Sequence, residues 1–445
     1  MPPILAWRYQ EEGKNMKKDL FQRISILMLT IVIITTASGC AQPVAYAEEV
    51  RSDLDRDSSP QVMETDLETL VTGNTSLAFD LYQALRQKDG NLFFSPHSIS
   101  LALAMTYAGA RGETERQMAD TLHFMLSQER LHPAFNALDL ELASRSEQVD
   151  EQEGEAFQLK IANSIWGQKG YTFLPEFLDL LAQDYGAGMN LVDFIEATED
   201  ARHTINQWVS DHTEEKIKDL IPQGAIDPLT RLVLANAIYF NAGWRYPFEE
   251  AQSFEDSFYL QDGSQVTATF MSLEKQLSYA QGEGYQALVL PYVGGSTAMV
   301  ILLPDADQFG AIEASLNSEY VSQILGDLHW QTVHLKMPRF EYESSFGLRN
   351  VFSELGMPNA FQEADFSGID GTKNLAITDI LHKAFISVDE EGTEAAAATA
   401  VIIGLTSAPT ESPIKLTLDH PFIFMIRDME TGTMLFLGRV MNPAK

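Results

Sequence analysis

The sequence predicts an α+β fold. Two observations carry that prediction: apolar residues recur at helical spacing in clustered segments, and separate long apolar runs read as buried strands. From Ser76 onward, Leu77, Ala78, Leu81 and Leu85 fall on one helical face. Asn91-Leu92-Phe93-Phe94-Ser95-Pro96 interrupts the pattern. A second helix is predicted from Ser98, through Leu101, Leu103, Ala104, Tyr107 and Ala108. The segment after Thr204, with Ile205, Trp208 and Val209, has the same spacing. Residues 232–240 and residues 298–303, the latter closed by Pro304, read as buried strands. Residues 423–426 and 434–437 read as a hairpin around Thr431-Gly432. No solenoid-type repeat is present.

The 445 residues are 45% hydrophobic and 21% charged, the balance of a folded chain long enough to bury a large core. The formal net charge of −33 repels nucleic-acid phosphates and anionic membrane surfaces. The one cysteine, Cys40, leaves no internal disulfide and no cysteine-based metal site.

The N-terminal segment is organised for export. Lys17, Lys18 and Arg23 form a basic start, residues 24–35 are almost wholly apolar, and the small residues Ala37, Ser38 and Gly39 lead to Cys40. The apolar run is shorter than the ~20 residues a spanning helix needs. Ala37-Ser38-Gly39-Cys40 resembles a bacterial lipobox, with Ala37 where that motif usually carries Leu. The resemblance implies cleavage before Cys40 and a lipid on it. The alternative is ordinary signal cleavage nearby with an incidental cysteine. Met16, directly before Lys17-Lys18, is the expected start. The expected organisation is a signal peptide over 1–39, a lipidated Cys40 with a flexible acidic tether over 40–68, and a globular domain over 69–445. The tether reading rests on Glu48, Glu49, Asp53, Asp55, Asp57, Glu64, Asp66 and Glu68, with little apolar periodicity between them. This places the protein outside the cytoplasm, in the cell envelope, meeting the membrane only through its anchor.

Catalytic motifs are absent. There is no Gly-x-Ser-x-Gly elbow, no His-Glu-x-x-His helix and no phosphate-binding Gly-Lys loop, and the nine histidines do not cluster at ligand spacing. The chain is therefore read as a non-enzyme with no cofactor and no metal.

Residues 389–413 combine an alanine-rich half with a β-branched half. The first half has helix propensity and the second strand propensity, so a plain helix followed by a strand is one reading and a conformational switch the other. Period-two spacing puts Thr393, Ala395, Ala397, Thr399, Val401 and Ile403 on one face of a strand, small enough at its start to slide between existing strands. Glu394 would then point to solvent.

Glu390-Glu391-Gly392-Thr393-Glu394-Ala395-Ala396-Ala397-Ala398-Thr399 resembles the hinge of inhibitory serpins nearly residue for residue. The resemblance spans roughly residues 70–445. Asn91-Leu92-Phe93-Phe94-Ser95-Pro96-His97-Ser98-Ile99 is similar to the start of that family's shutter helix. Asn236-Ala237-Ile238-Tyr239-Phe240 with Trp244 is similar to its central strand and breach tryptophan. Leu418-Asp419-His420-Pro421-Phe422-Ile423-Phe424, Gly438-Arg439-Val440 and Asn442-Pro443 are similar to its C-terminal signature. Asn241-Ala242 departs from the Lys-Gly of many members, a departure expected to be a surface detail.

The resemblance implies a serpin fold: three β-sheets with a large central sheet A, about eight or nine helices, and an exposed reactive centre loop over 390–413. It implies an inhibitor of serine proteases, with cysteine proteases as the alternative partner class, that is cleaved and then traps the acyl-enzyme by loop insertion from a metastable native state. It also implies Ser95, Ser98, Asn236 and His382 as the shutter, the last within Leu381-His382-Lys383-Ala384-Phe385. Trp244, Arg339 and Glu390 are implied as the breach, where an exposed ion pair would contribute only about 0–1 kcal/mol. Seventeen residues counted from Glu390 reach Thr406, so the expected reactive bond is Thr406-Ser407, with Leu405-Thr406 as the alternative. No Lys or Arg lies between Lys383 and Lys415, which points away from a trypsin-like target and toward elastase-, chymotrypsin- or subtilisin-like proteases. The region 127–146, basic in heparin-activated members, offers only Arg130 and Arg145 among several acids, so no heparin activation is expected. A monomer is expected. The rival functions are a non-inhibitory serpin acting as carrier or chaperone, a solute-binding lipoprotein, and, third, a hydrolase.

Overall fold

Helix α1 (Glu64–Leu85) buries Leu70, Leu77, Leu81 and Leu85, and α2 (Pro96–Tyr107) follows it. α2 begins where its sequence dictates. Ser95 accepts a hydrogen bond from the Ser98 amide at 3.1 Å, and Pro96 stands in the first turn, where a missing N–H leaves no bond unmade. Every residue of α2 is buried, because it lies between the two sheets of the molecule and serves as core on all sides. Three further helices matter below: α3 (Gln128–Ser144), α4 (Pro175–Tyr185) and α5 (Thr198–His212). The computed structural model describes residues 47–145, 158–393 and 412–445. Cys40, the hinge residues Glu394, Ala395, Ala396, Ala397, Ala398 and Thr399, and the bond residues Leu405, Thr406 and Ser407 lie outside the described residues.

The first sheet has seven strands: β1 (Glu48–Val50), β2 (Gln158–Gln168), β3 (Met189–Val192), β4 (Leu232–Gly243), β5 (Phe340–Gly347), β6 (Asp379–Val388) and β7 (Gly392–Thr393). Their order across the sheet is β1-β3-β2-β4-β7-β6-β5. β4 and β6 are parallel and pair directly from Val233–Asp379 to Ile238–Ala384. β7 sits between these same two strands further along, antiparallel to both. α5 covers one face, laying Ile205 and Val209 against Trp166, Val233, Ala235 and Ala237.

The second sheet runs in the order Ile414–Thr417, His329–Pro338, Gln265–Gly282, Tyr285–Pro291, Thr297–Pro304, Phe422–Asp428, Met434–Val440, Leu92–Phe94. The hairpin expected around Thr431-Gly432 is its Phe422–Asp428 and Met434–Val440 pair. Gly438 is needed here because a Cβ would lie 2.5 Å from the Leu92 carbonyl oxygen. Asn91 joins the end of the chain to this region, accepting from the Met441 and Asn442 amides and donating to the Asn442 carbonyl.

The expected α+β architecture is present, and one expectation about the chain's organisation needs correction. Among the described residues hydrogen bonding joins the strands into two continuous sheets, of seven and nine strands. The long strand Gln265–Gly282 pairs with Phe254–Tyr259 and His329–Pro338 and then continues into pairing with Tyr285–Pro291, so hydrogen bonding runs unbroken from one expected sheet into the next. Ten α-helices are present among the described residues, in keeping with the eight or nine expected, and short ones such as Ser367–Asp370 leave little periodic signal. The tether does not extend to residue 68. Ala47–Lys445 form one compact unit. β1 pairs with β3 at the sheet edge, the Ser52 hydroxyl donates to Asp179 on α4, and Arg56 meets Asn136 and Asp139 on α3 at 2.8 and 2.6 Å. α1 already begins at Glu64. An acidic segment poor in apolar residues cannot order itself by burial, but edge pairing and ion pairs to preformed helices order this one.

Candidate functional site

The site is built where β4 and β6 diverge. At its lower end, strand register brings His382, Asn236 and Asn163 into one row across β6, β4 and β2. The N-terminus of α2 lies beneath them. The Ser95 amide donates to His382 Nε2 at 3.2 Å. A backbone N–H can only donate, so Nε2 is the unprotonated nitrogen and Nδ1–H donates to Asn236 Oδ1. The Asn236 amide then donates to the Ser98 hydroxyl at 2.7 Å and to Asn163 Oδ1. Asn163 returns a bond to the Ser98 carbonyl at 3.0 Å. The four expected shutter residues thus meet in one buried network. Asn163 completes it and was not foreseen, since nothing in Ala162-Asn163-Ser164 marks it before the β2–β4 register is known.

At the upper end, Trp244 is buried and donates from Nε1 to the Asp389 carbonyl at 2.9 Å, while its backbone amide donates to the Glu391 carbonyl at 2.8 Å. Glu390 is 4% exposed. Burial alone would raise its carboxyl. Hydrogen bonds from Arg339 at 2.5 Å and from the Ser253 hydroxyl overcome that and hold it below the ordinary carboxylate range. The expected breach trio is therefore assembled. Its ion pair is partly exposed on one side only: the Arg339 side chain is 39% exposed while the Glu390 side chain is buried, so loss of Arg339 alone would strand a buried carboxylate.

Between these ends lies the start of the hinge. Asp389 closes a tight turn, its amide donating to the Gly392 carbonyl at 3.0 Å and its carboxylate accepting from the Glu391 and Gly392 amides. Gly392 and Thr393 then form β7, with Gly392 opposite Gly243 and Thr393 opposite both Ala242 and Val388. Glycine at 392 is required by close approach rather than by backbone freedom, because a Cβ would lie 2.2 Å from the Ala242 carbonyl oxygen. Ala242, expected to be a surface detail, is 1% exposed and flanks the hinge strand. Thr393 does not wait for cleavage to turn inward. It is 1% exposed, with its hydroxyl 2.7 Å from the hydroxyl of Tyr292. Tyr292 stacks on Trp244 with ring centroids 4.6 Å apart. Tyr292 and Ser253 were also not foreseen, since each is a single polar group whose partner lies over one hundred residues away.

The comparisons with known proteins agree with this geometry. A family model described as serpin (serine protease inhibitor) matches residues 72–443. This chain belongs to the serpin family. An uncharacterized serpin-like protein of Thermococcus kodakarensis is 40% identical over 375 residues, covering 84% of this chain and 86% of the relative. The leukocyte elastase inhibitor of Homo sapiens is 40% identical over 390 residues, covering 85% of this chain and all of the inhibitor. The native-state crystal structure of the thermophilic serpin tengpin aligns with a TM-score of 0.78 at 29% identity, over 89% of this chain and all of tengpin.

Three histidines of this serpin are buried in the neutral form. Burial pushes His97 and His132 down to about 4 and His382 down to about 3. Unfolded, they would titrate near 6.5. Below that pH the unfolded chain takes up protons that the folded chain refuses, so stability present above pH 6.5 is lost as the pH falls toward 4. Each histidine contributes up to about 1.4 kcal/mol per pH unit in this window. The urea midpoint at pH 5 should accordingly lie well below that at pH 7. Equal midpoints would contradict the buried, neutral assignment. The two arginines of the serpin's α3 region are engaged by carboxylates: Arg130 by Asp66, and Arg145 by Asp428, Glu141 and Glu430.

Proposed function

We propose that this serpin is a suicide-substrate inhibitor of a serine protease. The protease serine displaces the amine of Ser407 and acylates Thr406, with Leu405-Thr406 as the alternative bond. The strand from Thr393 onward then extends between β4 and β6 and traps the acyl-enzyme before water can release it. The observation that carries this reading is β7, a hinge start seated between the two strands that must part, with a side chain small enough to fit there. The absence of Lys and Arg from residues 384–414, and the likeness to a leukocyte elastase inhibitor, support an elastase-, chymotrypsin- or subtilisin-like target. The engagement of Arg130 and Arg145 supports inhibition without a polyanion.

Incubation with elastase-, chymotrypsin- and subtilisin-type proteases, followed by denaturing electrophoresis, should give a covalent band near the summed mass. The released C-terminal fragment should begin at Ser407 or Thr406. Cleavage without a covalent band, or a fragment beginning upstream of Val401, would overturn the reading. One observation favours the carrier alternative. A cavity of about 560 Å³ between α1, Ser318–Gly326 and the second sheet is lined by Val71, Leu325, Met425 and the Arg427 side chain. A carrier would be cut or left alone in the same gel.

The lipobox resemblance supports anchoring through Cys40. Cys40→Ser should move the protein from the membrane fraction to the soluble fraction. A variant still requiring detergent would mean that residues 24–35 remain as an uncleaved anchor.

A further inference from the structure

We propose that the Tyr292 hydroxyl is a positioning group that keeps the hinge seated in the sheet before any protease arrives. The proposal deepens the inhibitory reading above and rests on it. Tyr292 is fully buried. Its ring is fixed by neighbours that do not involve the hinge side chain, stacked on Trp244 at 4.6 Å and edge-on to Phe240 at 5.1 Å. Its hydroxyl meets one hydrogen-bond partner among the described residues, Thr393 Oγ1 at 2.7 Å. The ring is thus held by contacts other than Thr393, while the hydroxyl is satisfied only when β7 is formed. Withdrawing Thr393 would leave a buried phenol without its partner, and a buried polar group left unpaired is disfavoured. The bond thus discriminates between hinge seated and hinge withdrawn. It has no part in the acylation chemistry, which lies thirteen residues further along at Thr406.

The hydroxyl can be removed without moving the ring. Tyr292→Phe should make the amides of residues 389–393 exchange with solvent roughly fivefold faster, the equivalent of one net hydrogen bond. Thr393→Val should do the same, the double variant should be no faster than either single one, and Thr393→Ser, which restores a hydroxyl, should exchange at the parent rate. In parallel, the number of inhibitor molecules consumed per protease trapped should rise for Tyr292→Phe and Thr393→Val and stay at the parent value for Thr393→Ser. Parent-rate exchange in Tyr292→Phe, or effects that add in the double variant, would overturn the proposal. If Tyr292→Phe fails to fold, the Thr393→Val and Thr393→Ser pair decides the same question. The exchange measurement needs no protease. A parent chain that never forms a covalent complex therefore sinks the inhibitory reading alone, whereas an inhibitory parent with unchanged exchange in Tyr292→Phe sinks the latch alone.

Discussion

Replacing Thr393 with arginine should turn the proposed protease trap into a plain protease substrate. Thr393 lies between Ala242 and Val388 at 1% exposure, and the group facing its side chain is a tyrosine hydroxyl. Among the described residues no carboxylate is bonded to that position, so a guanidinium placed there would be an unpaired buried charge, at a cost of several kcal/mol. The cheapest relief is withdrawal of β7, which among the described residues holds the sheet through Gly392 and Thr393 alone. The body should therefore stay folded, with the hinge unseated before any protease is added. After acylation, the first step of insertion would require burying the same charge, and deacylation should win. The stoichiometry of inhibition should rise at least about tenfold, the factor that ~1.4 kcal/mol supplies, with the cleavage site unchanged. A stable covalent complex at the parent stoichiometry, seen by denaturing electrophoresis, would remove the hinge from where it is placed here.

The second large effect is expected far from the hinge. Arg439 and Glu313 are 4% and 5% exposed and paired at 2.7 Å. Arg439 also donates to the carbonyls of Gly90, Arg86 and Lys88, and Glu313 accepts from the Tyr82 hydroxyl at 2.9 Å. Together these bonds join the strand Met434–Val440, the end of α1 and the helix Phe309–Ser315. Arg439→Met should destabilise the protein by about 3–5 kcal/mol, because it leaves three carbonyls short of donors and leaves the buried Glu313 carboxylate only the longer pair with Arg86 at 3.5 Å and the Tyr82 hydroxyl. The double variant Arg439→Met, Glu313→Leu should recover part of that loss, since the under-paired buried carboxylate is gone and the partly exposed Arg86 can be hydrated instead. Thermal unfolding of the parent, the single and the double variant checks both statements. A single variant within about 1 kcal/mol of the parent would contradict the network, because surface changes fall in that range.

These two sites show which parts of the molecule were legible beforehand. Motif-bearing residues such as Ser95, Asn236, His382, Trp244 and Glu390 could be located because each stands in a run of neighbours that identifies its place. Strand register then brings them together. Their partners were not legible. Glu313, Asn163, Ser253 and Tyr292 sit in ordinary surroundings, and each is recruited across a large sequence separation by packing alone. The segment around β1 failed for a different reason. Its composition describes what it cannot bury, while its order comes from the open edge of β3 and from carboxylates on α3 and α4. Within the hinge, Glu390, Glu391, Gly392 and Thr393 fall among the described residues, and the last two are already seated as a strand; alternation of small residues says that a segment can enter a sheet and not how much of it is already inside.

The direction of the strands beside that hinge sets the thermodynamic sign of any further insertion. β4 and β6 are parallel neighbours, and such a pair is the one arrangement between which a third strand can lie antiparallel to both sides. Each residue added to β7 would replace a slanted parallel rung with two antiparallel rungs, each intrinsically somewhat the stronger kind. The donors and acceptors along β4 and β6 would lose nothing in the exchange and the incoming backbone would gain its whole complement. The Asp389 turn already reverses the chain, so growth of the strand is the lengthening of an existing hairpin, an event on the order of microseconds in isolated peptides. A cleavage product of this chain should thus carry a centre of entirely alternating strand direction, a state the intact chain can approach only as far as its loop allows.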